Sequence, residues 1–214
     1  MSGLQSCKPD IKENRANMKY FDIKGFFRSD SARLSQLNQP VYKIIKHNGV
    51  SESKTVHIAN WGTELSLFSG ADINKPAWRD SYKVTADSNI IIYQALTPEL
   101  KTREIMIKLV AGKVKYMMIL NSTKNILYNS LEKLSYFPDS LYLIQKAQTV
   151  RLLGTNKYDI SGYFNHRWLL STLASFSFEA SINVEISVLE GSLFKTFSKS
   201  AIDAFKELIP LALS

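Results

Sequence analysis

The sequence predicts an α+β fold that is mostly β: a curved antiparallel meander sheet, a half-barrel or near-closed barrel, with one or two N-terminal helices packed on it. Three observations carry this reading. From Tyr82 to Phe164, apolar residues alternate with Lys, Arg, Thr and Asn through one short segment after another, the period of a strand with one buried face. The segments are separated by Ala111-Gly112, Ser122-Thr123-Lys124-Asn125, Phe137-Pro138-Asp139-Ser140 and Gly154-Thr155-Asn156-Lys157, residues that favour turns. Upstream the period changes, because Ile23, Phe26, Phe27, Leu34 and Leu37 fall on one side of a 3.6-residue wheel.

In chain order, Tyr20 to Gln39 reads as an amphipathic helix, weakened at Gly25 and stopped by Asn38-Gln39-Pro40, since proline cannot continue the ladder. Its Phe26-Phe27 pair fits either packing on the sheet or docking on a membrane surface. Val41 to His47 and Ser53 to Ile58 are β-rich, and Asn48-Gly49 between them is a strong hairpin signal. Register then separates the histidines: His47 faces Val50, while His57 falls beyond the partner strand, so no histidine metal site is expected. Asn60 is the N-cap of a second helix whose Trp61, Leu65 and Phe68 share a face. The sheet proper is expected at Tyr82–Asp87, Asn89–Ala95, Thr102–Leu109, Lys113–Asn121, Ile126–Tyr136, Leu141–Leu153 and Tyr158–Phe164. On β-alternation, Val114, Tyr116, Met118 and Leu120 are grouped on one face of their strand. Short connections make successive strands neighbours, and so many strands must coil.

A chain of 214 residues with 45% hydrophobic and 21% charged content buries a core without metals or disulfides and is not disordered as a whole. The formal charge of +8 is spread along the strands, as on a solvated face that discourages edge pairing. Zinc-finger spacing and Gly-flanked RNA-binding aromatics are missing, so no nucleic-acid partner is expected. The chain lacks an apolar run of the ~20 residues a spanning helix needs.

Cys7 is the only cysteine, which excludes a disulfide within the chain and any cysteine-based zinc site. Leu4-Gln5-Ser6-Cys7, followed by polar Lys8-Pro9-Asp10-Ile11-Lys12-Glu13-Asn14, resembles a bacterial lipobox, in which the cysteine sulfur carries lipid. Six residues precede Cys7, fewer than a signal's charged and apolar regions require. Either the start lies upstream of Met1 or the match is accidental. The first case places the protein at the bacterial envelope, periplasmic or outer-membrane associated, with the membrane as partner through a lipid anchor; the second allows a cytoplasmic protein.

Asp22-Ile23-Lys24-Gly25-Phe26-Phe27, Asn60-Trp61, Ala71-Asp72-Ile73-Asn74-Lys75-Pro76-Ala77-Trp78, Tyr136-Phe137-Pro138-Asp139-Ser140-Leu141-Tyr142 and Val150-Arg151-Leu152-Leu153-Gly154-Thr155-Asn156-Lys157-Tyr158 together resemble a family of uncharacterised lipoproteins of Bacteroidota-type bacteria. The resemblance spans about Cys7 to Gly162. It implies an envelope location and supplies no catalytic residues or cofactor. Domain organisation follows: a lipoprotein-like tether over 1–19, a helix-plus-sheet domain over 20–164, and an extension over 165–214. That extension carries four Lys/Arg against five Asp/Glu, leaving +9 on the rest. Phe194, Phe197, Ala201, Phe205 and Leu208 suggest one amphipathic helix within it.

Two function classes are expected. The first is a non-enzymatic envelope lipoprotein binding an apolar or amphipathic ligand, or an envelope protein. Its site would be an opening of the curved sheet rimmed by Trp61 and Trp78 and lined by Tyr93 and Tyr116, with Met118, Leu120 and Tyr128 as further liners. In the competing arrangement the second helix plugs the opening and both tryptophans are buried. The second class is a hydrolase with scattered carboxylates, against which stands the lack of a Gly-x-Ser-x-Gly elbow, a phosphate-binding loop or a zincin pair. No cofactor or metal is expected.

Overall fold

The computed structural model describes residues 18–164; Cys7, the tether over 1–17 and the extension with its Phe194–Leu208 pattern lie outside them. Helix α1 (Ile23–Leu37) is followed by β1 (Val41–His47) and β2 (Val50–Val56), then by two short helical turns, α2 (Trp61–Glu64) and α3 (Ser66–Ser69), and a 3-10 turn at Pro76–Trp78. Seven strands complete the domain: β3 (Tyr82–Ala86), β4 (Ile90–Ala95), β5 (Thr102–Val110), β6 (Lys113–Lys124), β7 (Tyr128–Phe137), β8 (Leu141–Val150) and β9 (Gly154–Tyr163). With β1 and β2 they form one nine-stranded antiparallel sheet in the order β2-β1-β9-β8-β7-β6-β5-β4-β3. The meander β3 to β9 thus lies in sequence order, and the first hairpin closes onto its last strand. The sheet is curved and open, with β2 and β3 as its edges. Irregularities between Thr102 and Glu104 and between Lys108 and Leu109 are the bulges that bend such a strand pair.

Local chemistry sets the element ends. Asp22 caps α1 by accepting from the Gly25 backbone N–H at 2.7 Å, and a Cβ at Gly25 would collide with that carboxylate. The glycine that weakens the helix in sequence is therefore what lets its cap form. Asn38 ends α1 in the left-handed region, with φ 43°, a conformation asparagine tolerates. Asn60 caps α2 through the Thr63 N–H at 3.0 Å. The expected second helix is interrupted at Leu65, whose φ and ψ of −94° and 15° leave the helical well, yet Trp61, Leu65 and Phe68 are buried together as its pattern requires. Among the described residues, no helix is long and apolar enough to cross a membrane.

Pairing registers place the core. Ile105, Ile119, Leu134 and Ile144 form one row across β5 to β8, and Ile107, Met117, Tyr136 and Tyr142 form the next. These side chains and those of Ile23, Phe27, Trp61, Leu65 and Phe68 make one buried cluster, so the helices sit on this face. The grouping of Val114, Tyr116, Met118 and Leu120 is corrected here. Lys115 is left without a partner between the Lys108–Tyr116 and Leu109–Val114 pairs, which changes the parity of β6. Val114, Met117 and Ile119 accordingly belong to the helix-side cluster, while Met118 and Leu120 are buried outside it.

Candidate functional site

The helix-covered half of the sheet is filled. The Phe27 and Phe68 rings stand 4.9 and 5.5 Å from that of Tyr136. The helices are also locked polar-to-polar: the Tyr136 hydroxyl donates to Asp30 of α1 and the Tyr142 hydroxyl to Glu64 of α2. Asp30 further accepts from Arg33 Nε at 2.5 Å, and Glu64 pairs with Lys43 of β1 at 2.6 Å. Burial, and then the neighbouring carboxylate, raises both phenols well above the ordinary tyrosine range, so they remain donors.

One row further from the helices the same face turns polar. Beyond Ile119, Leu134 and Ile144 lie Asn121, Glu132 and Lys146, paired in register, and beyond those Thr123, Ser130 and Gln148. Five of these residues, all but Asn121, line a cleft of about 320 Å³ together with Lys101 and Tyr128. Glu132 is buried at its floor. Its Oε1 lies 3.1 Å from Lys146 Nζ, and its Oε2 accepts from Asn121 Nδ2 at 3.3 Å with Lys101 Nζ at 3.9 Å. Burying a lone carboxylate is costly, and this one is held by two cations and an amide. Asn121 is also buried, and its Oδ1 has no hydrogen-bond partner among the described residues. The cleft therefore offers two ammonium groups, hydroxyls, an amide and an aromatic ring, with the carboxylate already occupied. That is the chemistry of an acceptor for a polar head bearing negative charge.

The residues expected to rim and line an opening are spread out. Trp61 is buried edge-on against Phe164, with ring centroids 5.3 Å apart. Trp78 is half-buried beside Lys75, whose Nζ lies 3.9 Å from its ring. Tyr93 is buried on the helix side, where its hydroxyl accepts from the Phe21 N–H and its ring meets Tyr20. Tyr116 stands on the opposite face, opposite Lys108 and 3.5 Å from the Ser135 hydroxyl. Of the further liners, Tyr128 reaches the cleft. His47 faces Val50 as its register demands and stacks on Tyr158 at 4.3 Å. Among the described residues, no group of three His, Cys, Asp or Glu side chains is placed to hold a metal.

The cleft did leave a signal in the sequence. At positions of one parity, β6 passes from Thr123-Asn121 to Ile119-Met117, β7 from Ser130-Glu132 to Leu134-Tyr136, and β8 from Gln148-Lys146 to Ile144-Tyr142. Three neighbouring strands that change from polar to apolar at matched register mark where a covering layer stops. Compared with family models, curated proteins and solved structures, the chain has no match.

Proposed function

We propose that the protein is a non-enzymatic bacterial envelope lipoprotein, anchored through an acylated Cys7, that binds the anionic head of an amphipathic ligand in the Glu132 cleft. The observation that carries this is the placement of Lys101 and Lys146 on either side of the buried Glu132 carboxylate, in a polar cleft that directly adjoins the apolar helix-side core. Anchoring is supported by the Cys7 context and the family resemblance. The cleft takes over the role expected of Trp61, Trp78, Tyr93 and Tyr116, because its residues converge on one space and those four do not. Glu132 serves structure and not proton transfer, since both its oxygens are engaged by donors or cations.

Two measurements test the reading. Calorimetric titration of the full chain with lysophosphatidylglycerol should saturate, and Lys146→Ala should weaken it at least about tenfold, as removing one partner of a charge-assisted contact does. Absence of saturable binding, or an unchanged affinity in Lys146→Ala, overturns the site; release of hydrolysis products overturns the non-enzymatic part. In cells carrying the native upstream region, a labelled fatty acid should attach to the chain and not to Cys7→Ser, and an unlabelled wild type would rule out the anchor.

A further inference from the structure

The β1–β2, β6–β7 and β8–β9 turns and the β4–β5 connection all emerge at one end of the sheet, as the registers of the paired strands require. Ile126 and Leu127 on the β6–β7 turn are 83% and 71% exposed, and Leu152 and Leu153 on the β8–β9 turn are 93% and 81% exposed. Single exposed aliphatics are ordinary, but two adjoining pairs on neighbouring turns are a patch. The turns are not loose. Asn125 Oδ1 accepts from the Leu127 and Tyr128 N–H groups at 2.9 Å each, and the Arg151 N–H donates to the Leu127 carbonyl at 3.1 Å. Asn48 ties the third turn alongside, donating its N–H to the Lys157 carbonyl and accepting the Lys157 N–H at 2.8 Å. Exposed Lys124, Arg151 and Lys157 flank the patch.

We infer that this end of the sheet is a membrane-docking surface, whose four turn aliphatics enter the interface of an anionic bilayer while Lys124, Arg151 and Lys157 meet its head groups. Apolar tips ringed by cations match an anionic bilayer, which offers apolar depth and negative charge together. The described domain also begins at this end: Lys19 pairs with Asp80 at 2.6 Å, and Tyr20 packs on Tyr82, the first residue of β3. The inference stands apart from the cleft and from Cys7.

The test uses the full chain carrying Cys7→Ser, so that no acyl chain contributes, and cosedimentation with vesicles of phosphatidylcholine alone or doped with phosphatidylglycerol. Binding is expected to the doped vesicles, with release by salt. Replacing Ile126, Leu127, Leu152 and Leu153 together by Ser should weaken it at least about tenfold, and each of Lys124→Gln, Arg151→Gln and Lys157→Gln should weaken it about fivefold. All these side chains are exposed, so the melting temperature should stay at its parent value. The four-serine variant should still bind soluble lysophosphatidylglycerol as the parent chain does, which separates failure here from failure of the cleft. No cosedimentation, equal binding to both vesicle types, or undiminished binding by the four-serine variant overturns the inference.

Discussion

Tyr136 and Tyr142 face each other across the β7–β8 pair, and each gives its hydroxyl to a carboxylate on a different helix, Asp30 of α1 and Glu64 of α2. A single cross-strand pair therefore fixes where both helices sit. The apolar contacts around it are non-directional, whereas these two hydrogen bonds specify position.

Removing one of them should be measurable. Tyr136→Phe keeps the ring packing against Phe27 and Phe68 and deletes only the donor to Asp30, whose other oxygen remains with Arg33. The expected loss is about 1–3 kcal/mol, or several degrees of melting temperature at about 2–4 °C per kcal/mol for a chain of this size. A melting temperature unchanged from wild type would show that the hydroxyl is not a fastening.

High pH attacks the same lock. Tyr82 donates its hydroxyl to the Thr102 carbonyl, and burial pushes its pKa up to about 12. Tyr136 and Tyr142 are raised by burial first and by Asp30 and Glu64 next. A pKa raised in the folded state contributes stability that is complete below the unfolded value of about 10 and is lost as pH climbs through the folded value. Phenolate absorbance of the denatured chain should rise at about pH 10. In the folded chain these three should ionise only at higher pH, with the loss of structure. One absorbance step for all tyrosines in a chain that keeps its near-UV dichroism would refute this.

Much of this architecture was legible beforehand, for identifiable reasons. All nine strands and α1 are announced by period, and Asn48-Gly49 and Asn60 act as the hairpin turn and helix cap that their chemistry dictates; two turns are displaced, since Ser122–Lys124 continue β6 and Gly154–Lys157 open β9, so that the chain reverses at the aliphatic Ile126-Leu127 and Leu152-Leu153 instead of at the polar residues beside them. The face of β6 was not legible, because Met117, Met118, Ile119 and Leu120 are all buried and alternation carries no information when both parities are apolar. A bulge at Lys115, which no residue type signals, then moved the register. The joining of β1 to β9 is a contact between distant parts of the chain, which local pattern does not encode. Likewise the place of the tryptophans in the sequence suggests a rim, whereas Trp61, at the start of α2, is buried edge-on against Phe164 at the far end of the domain's sequence.

The hairpin edge gives a prediction about local rather than global stability. Asn48 and Gly49 have φ of 48° and 92°, as a two-residue turn with both central residues left-handed requires. A Cβ at Gly49 meets nothing within 4 Å, so Gly49→Val is strained in backbone alone. Because, among the described residues, β2 pairs only with β1 at the sheet edge, the strain should be released by fraying. Amide exchange in β2 should quicken while β6 to β8 keep their protection. Uniform acceleration across the sheet would show that the hairpin opens only with the whole domain.

Tyr142 occupies space that only a glycine on β9 leaves open. Gly162 of β9 lies opposite Tyr142 in register, and a Cβ there would fall within the Tyr142 ring. The glycine is thus needed for close approach and not for a left-handed backbone. Gly162→Ala should push the ring away from Phe68 and Phe164 and part its hydroxyl from Glu64, leaving Lys43 as that carboxylate's partner. Overpacking of this kind costs about 1–3 kcal/mol. Tyr142→Ala should be destabilising alone, yet in its background Gly162→Ala has no ring to strike. The double-mutant cycle should therefore give a coupling of about 0.5–3 kcal/mol, with the glycine substitution nearly harmless once the ring is gone. An equal penalty in both backgrounds would mean that the methyl group meets something other than Tyr142, and the steric account of Gly162 would fall.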